Sequence, residues 1–160
     1  MTPATEACAG ARRGRRRAVD IVALVAWIVT VLGGMTLAAL WGRRGGATQP
    51  QDESEGRGKP GIAIPVLVPH ALLAIAGLVI WAVYVTRDDS RGMSYTPGFA
   101  VGVLAIVIAL GLVMFRRWSL ARRDRDVGGE AERRLPVALV TLHGLAAATT
   151  FALVVVTLFD

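Results

Sequence analysis

Long apolar runs alternate with short polar, charge-rich segments along this chain. Four runs, 18–41, 62–86, 98–118 and 135–159, carry charge only at their ends. A helix needs roughly 20 apolar residues to cross a bilayer. Backbone polar groups in lipid must be satisfied within the segment, so each run predicts a transmembrane helix. The connecting segments are too short to hold a soluble domain. The expected fold is all-α, an integral membrane four-helix bundle with up-down topology. Residues 18–160 then form a single four-span domain, and 1–17 a disordered basic tail ending in Arg12-Arg13-Gly14-Arg15-Arg16-Arg17. The first run is longer than the apolar core of a cleaved signal and lacks a small-residue cleavage pattern, which favours an anchor.

Punctuation within the runs refines this picture. Gly33, Gly34, Ala38 and Ala39 make a small-residue patch that lets a neighbouring helix come close. Trp41, Trp81 and Tyr84 lie at run ends, where interfacial aromatics belong. Pro97 and Pro136 open the third and fourth spans, while Pro65 and Pro69 fall in the first turns of the second. Pro69 removes a backbone donor just before His70 and predicts a kink. Arg122/Asp126 and Glu130/Arg134 have the spacing of surface ion pairs, separated by the helix-breaking Gly128-Gly129. Asp160 follows the last span directly, so no tail is expected there.

The second and fourth runs align through His70/His143, Leu72/Leu145 and Ala74/Ala147. The first and third align through Gly34/Gly111 and Trp41/Trp118. The chain is therefore expected to be two parallel-repeated helical hairpins. The second and fourth helices would then run in the same direction. Each histidine would lie seven or eight residues from its helix start, about 11 Å along the axis.

Composition changes the picture only in part. Hydrophobic residues make up 54% of the chain, as expected for a membrane protein, and the net charge is +6. In a soluble protein that charge would suggest nucleic acid. Here the arginines flank the spans and point to lipid headgroups, so no nucleic-acid partner is expected. The side with the two longer loops carries 11 Arg and Lys, against 7 on the side with both termini. The larger count places the loops in the cytoplasm, although the five arginines before the first span pull the other way. A bacterial inner (cytoplasmic) membrane is the expected location. Cys8 is the only cysteine, which excludes an intramolecular disulfide.

His70 and His143 are the only histidines and the only ionisable side chains well inside any run. Intramembrane histidines usually face the bundle interior and mark function. Three chemistries compete. Two imidazoles at one depth on diagonal helices can ligate one b-type haem, with Ala74, Gly77 and Ala147 leaving room for a flat cofactor. Alternatively, each histidine hydrogen-bonds a threonine (Thr36, Thr141, Thr149 or Thr150) or a carbonyl freed near Pro69. The protein would then be a structural or accessory subunit of a homo-oligomer or of a membrane partner. Transport or zinc binding is the third. It lacks a membrane-embedded carboxylate, and two histidines fall short of the three or four ligands zinc takes. No hydrolase or phosphate-loop motif is present, so hydrolytic catalysis is not expected.

The placement of His70 and His143 on the second and fourth spans resembles the cytochrome b family in topology. That family carries two histidines per ligand helix for two haems, whereas this chain carries one per helix, enough for one. The tandem hairpins, glycine-containing first helix and His-Ala-Leu or His-Gly-Leu starts (His70–Leu72, His143–Leu145) also resemble a group of small uncharacterised bacterial membrane proteins. That second resemblance covers most of residues 18–159 and implies no activity.

Overall fold

The structure, a computed structural model, describes residues 3–48, 62–87, 96–124 and 129–159. These residues contain no strand. The helices are α1 (Pro3–Arg43), α2 (Ile64–Thr86), α3 (Thr96–Arg123), the single turn α4 (Glu130–Arg133) and α5 (Val137–Val156). All but α4 are long and apolar enough to cross a membrane, which makes this a multi-pass membrane protein. α1 packs against α2 and α5, and α3 packs against the same two. The diagonals of the four-helix bundle are therefore α1/α3 and α2/α5.

The solvent-facing logic of a water-soluble bundle is inverted. Val22, Val29, Leu32, Leu72, Leu142 and Leu145 point outward and are 53–63% exposed, which lipid tails accommodate without cost. Inward positions on α1 recur every three or four residues through Asp20, Ala23, Trp27, Thr30, Gly34, Ala38 and Trp41, the period of one helix face. The basic segment before residue 18, expected to be disordered, is instead part of α1 from Pro3 onward. Alanine and arginine are strong helix formers, and extending a nucleated membrane helix adds one hydrogen bond for each residue ordered.

Two packed clusters close the bundle at its ends. The first, at the end nearer the termini, joins Ala23, Trp27, Trp81, Ala100, Leu104 and Val154. The second, at the end with the longer loops, joins Trp41, Trp118, Ala131 and Leu135. Trp41 and Trp81, expected at the lipid interface, are instead buried. An indole N–H is costly to bury unpaired, and the bundle supplies acceptors. Trp81 Nε1 donates to the Asp20 carbonyl at 3.2 Å, and Trp27 Nε1 to the Ala74 carbonyl at 3.1 Å. The Trp27 and Trp81 rings lie 6.4 Å apart, and Tyr84 continues the stack at 5.2 Å from Trp81.

Trp41 instead donates to Glu132, whose Oε1 lies at 2.7 Å. That carboxylate is fully buried. Its Oε1 also accepts the Ile62 N–H at 3.1 Å, and its Oε2 the Gly129 N–H at 2.9 Å. One side chain thus ties the end of α1, the approach to α2 and the start of α4. Gly46 closes the same corner, since a Cβ there would lie 2.2 Å from the Trp41 ring. Gly45 reverses the chain after α1 with a φ of 82°, a conformation open to glycine. Glu130 pairs with Arg134 as the spacing predicts. Arg122 instead lies over the Trp118 ring, 5.4 Å from its centre. Asp126 falls outside the described residues.

Replacing Glu132 with alanine leaves three donors without their acceptor. Glu132→Ala is expected to destabilise the bundle by about 3 kcal/mol, and Glu132→Gln, which keeps the Oε1 acceptor, by about half that. Thermal unfolding in detergent, followed by circular dichroism, measures both.

Candidate functional site

A cavity of about 480 Å³ lies on the bundle axis between the two clusters. Trp27 bounds it at one end, Trp41 and Trp118 at the other. Trp27 and Trp41 are 14 residues apart on α1, which sets their backbones about 21 Å apart along the helix axis. Its lining is apolar except for the two histidines, Thr30, Thr150 and the indoles.

His70 and His143 project from the diagonal helices α2 and α5 and meet near the middle of this length. Their ring centres are 6.4 Å apart with planes inclined at 67°. His70 Nδ1 lies 2.9 Å from the Val107 carbonyl on α3, and His143 Nδ1 lies 3.1 Å from the Thr30 carbonyl on α1. A carbonyl only accepts, so Nδ1 carries the proton in each bond. A neutral ring in that tautomer has its lone pair on Nε2. Neither Nε2 has a hydrogen-bond partner among the described residues. Both rings are therefore fixed at one nitrogen and available at the other. This is how metal-ligating histidines are commonly oriented.

The carbonyls are reachable because of two glycines. In a helix the Cβ of residue i+4 leans back over the turn that carries the carbonyl of residue i. Gly111 stands four residues after Val107, and Gly34 four after Thr30. A Cβ on Gly111 would lie 3.2 Å from His70 Cε1, and one on Gly34 would lie 3.0 Å from His143 Cε1. Each imidazole thus lies in the place of a missing side chain, and the bared carbonyl accepts a second bond beside its helical one.

Several expected contacts are replaced. The histidines bond carbonyls of neighbouring helices, not threonine hydroxyls and not a carbonyl freed near Pro69. Thr141 and Thr149 are exposed. Thr36 bonds its own helix at the Leu32 carbonyl. Thr150 bonds the Ala146 carbonyl and meets the Thr30 hydroxyl at 3.1 Å. Ala74 and Ala147, one turn beyond each histidine, line the cavity. Gly77 does not. Its missing Cβ is occupied by Trp27, whose ring would come within 2.6 Å of one, so its role is to seat the indole that ends the cavity. Among the described residues no three of His, Cys, Asp and Glu lie together as metal ligands. No family model matches this chain, and no match was found among curated proteins or solved structures.

The glycine seats carry a direct test. Gly34→Ala is expected to break the His143 Nδ1 bond while leaving that of His70 intact, and Gly111→Ala to do the reverse. Imidazole nitrogen NMR of histidine-labelled protein in micelles reads each ring separately. A shift at both rings in either variant would contradict independent seats.

Proposed function

We propose that the protein binds one b-type haem between His70 and His143 and serves electron transfer or redox sensing in a bacterial inner (cytoplasmic) membrane. The observation that carries this reading is the 6.4 Å separation of two imidazoles whose Nδ1 atoms are tied back to carbonyls. Two imidazoles on opposite faces of one metal have ring centres about 6 Å apart, from metal–nitrogen bonds of about 2 Å. The diagonal arrangement adds support. Residues of α1 and α3 that line the cavity between the histidine-bearing helices, Ala38 and Ile108 among them, would border such a cofactor. When bound, haem iron supplies reversible one-electron chemistry. The chain's own residues orient the two ligands, exclude water with Trp27, Trp41 and Trp118, and provide an apolar surround.

The paired histidine seats also support the repeat proposed from sequence. Thr30 and Val107 are 77 residues apart, as are Gly34 and Gly111, while the histidines they receive are 73 apart. A rotation exchanging the two hairpins would carry one seat onto the other.

A second reading rests on the same two carbonyl bonds, which join α2 to α3 and α5 to α1. On that reading the histidines are structural, and the protein is an accessory subunit in a homo-oligomer or beside a membrane partner. Visible spectra of detergent-purified protein from haem-replete cells, before and after dithionite, separate the two. Haem binding predicts a Soret band that sharpens on reduction and is lost in both His70→Ala and His143→Ala. A glycine variant at either histidine should recover it with added imidazole. A colourless wild type would leave the structural reading standing.

A further inference from the structure

The free nitrogens of His70 and His143 set the terms for anything held between the two rings. Each Nδ1 is bonded to a carbonyl, and neither Nε2 has a hydrogen-bond partner among the described residues. Neither Nε2 is sealed off: both keep accessible surface, and both rings border the cavity. The Nδ1–H bond holds each ring in place and makes its Nε2 a better electron-pair donor. The pair is thus a ready set of two neutral nitrogen donors. Among the described residues no further His, Cys, Asp or Glu joins them to make three.

A donor set of two selects among metal ions by coordination number. Zinc takes three or four protein ligands, and copper(II) favours four in a square plane. Copper(I) has a filled d shell, accepts imidazole nitrogen and is stable with two ligands in a line. An ion held in a line by two nitrogens, each about 2 Å away, places the ring centres about 6 Å apart. The observed separation is 6.4 Å. Rings bound in this way are free to turn about the metal–nitrogen axis, so the 67° between their planes imposes no strain. A single ion needs only the gap between the two rings. The apolar surround acts in the same direction, because the cost of burying charge rises with its square, and a monovalent ion costs about a quarter of what a divalent one does.

We infer that the haem-free protein binds one copper(I) ion in a line between His70 Nε2 and His143 Nε2. The site selects by what it lacks. It satisfies an ion content with two neutral donors and leaves zinc or copper(II) short of ligands. The same two nitrogens serve haem in the proposed function, so the two occupants exclude each other. The inference does not rest on the haem reading, and either can fail while the other holds.

The test uses full-length protein purified without haem and carrying Cys8→Ser, which removes the only thiol, itself a copper(I) ligand. In detergent, without oxygen and with ascorbate present, the protein competes for copper(I) with a coloured copper(I) chelator. With both histidines in place it is expected to withdraw one equivalent of copper. His70→Ala and His143→Ala should each weaken binding by at least about 100-fold, beyond what loss of an outer hydrogen-bond partner costs a metal site. Zinc, measured by competition with a zinc indicator, should bind at least about 100-fold more weakly than copper(I). X-ray absorption of the loaded protein should show two nitrogen neighbours at about 2 Å and the edge shape of linear copper(I). That spectrum is read with both histidines present, so it decides the matter even where an alanine variant fails to fold. The inference is overturned by a protein that withdraws no copper, by undiminished affinity in either alanine variant, by zinc binding as tightly as copper(I), or by a sulfur or third neighbour at the metal.

Discussion

An imidazole inside a membrane needs a partner, and in this bundle the partner is a backbone carbonyl already engaged in its own helix. That second bond is possible only where the surface over the carbonyl is bare. Gly34 and Gly111 provide the bare surface, and the two histidines fill it. The constraint works in both directions. Without the glycines the rings could not approach the carbonyls, and without the rings the glycines would leave gaps between the helices. Because each seat draws on a different pair of helices, the two together join α2 to α3 and α5 to α1, and they bring the free nitrogens of both rings to the centre.

The same need to satisfy buried polar groups organises the two ends. At one end, indoles find carbonyls of neighbouring helices, so Trp27 and Trp81 pack inward as a stacked pair. At the other, no such carbonyl serves Trp41, and a loop carboxylate is drawn in to meet it. Glu132 is thereby held in a dry corner by three N–H groups, and the loops acquire a fixed relation to the helices they join. The cavity is what remains between two ends that close for different reasons. Its apolar walls make any polar group inside it consequential, the two Nε2 atoms above all.

Much of this was legible in the chain. The four spans follow from length and hydropathy alone. The equal depth of His70 and His143 follows from counting residues along two parallel helices, and their facing positions from the diagonal relation of α2 and α5. Ala74 and Ala147 were found from the helical period. What sequence reading missed shares one feature: it depends on contacts between helices distant in the chain. Gly34 and Gly111 were visible as an aligned pair, but nothing local says that a histidine more than a hundred residues from Gly34 occupies its empty side. Gly77 has the same composition signal and serves an indole instead. Trp41 and Trp81 lie where interfacial aromatics belong, and only the presence of an inward acceptor turns them into core residues.

Length, hydropathy and the positions of the charged residues are enough to establish a helical membrane protein with four spans and two histidines well inside them. Those properties are set by the transfer of side chains and backbone into lipid, which each segment undergoes largely on its own. Packing between helices sets which nitrogen of each ring is held and which is left available, which glycines admit imidazoles, and which indole is left without an acceptor among the described residues. Those outcomes depend on the registration of one helix surface against another to within an ångström, and a missing Cβ gains its meaning only from the side chain that arrives in its place.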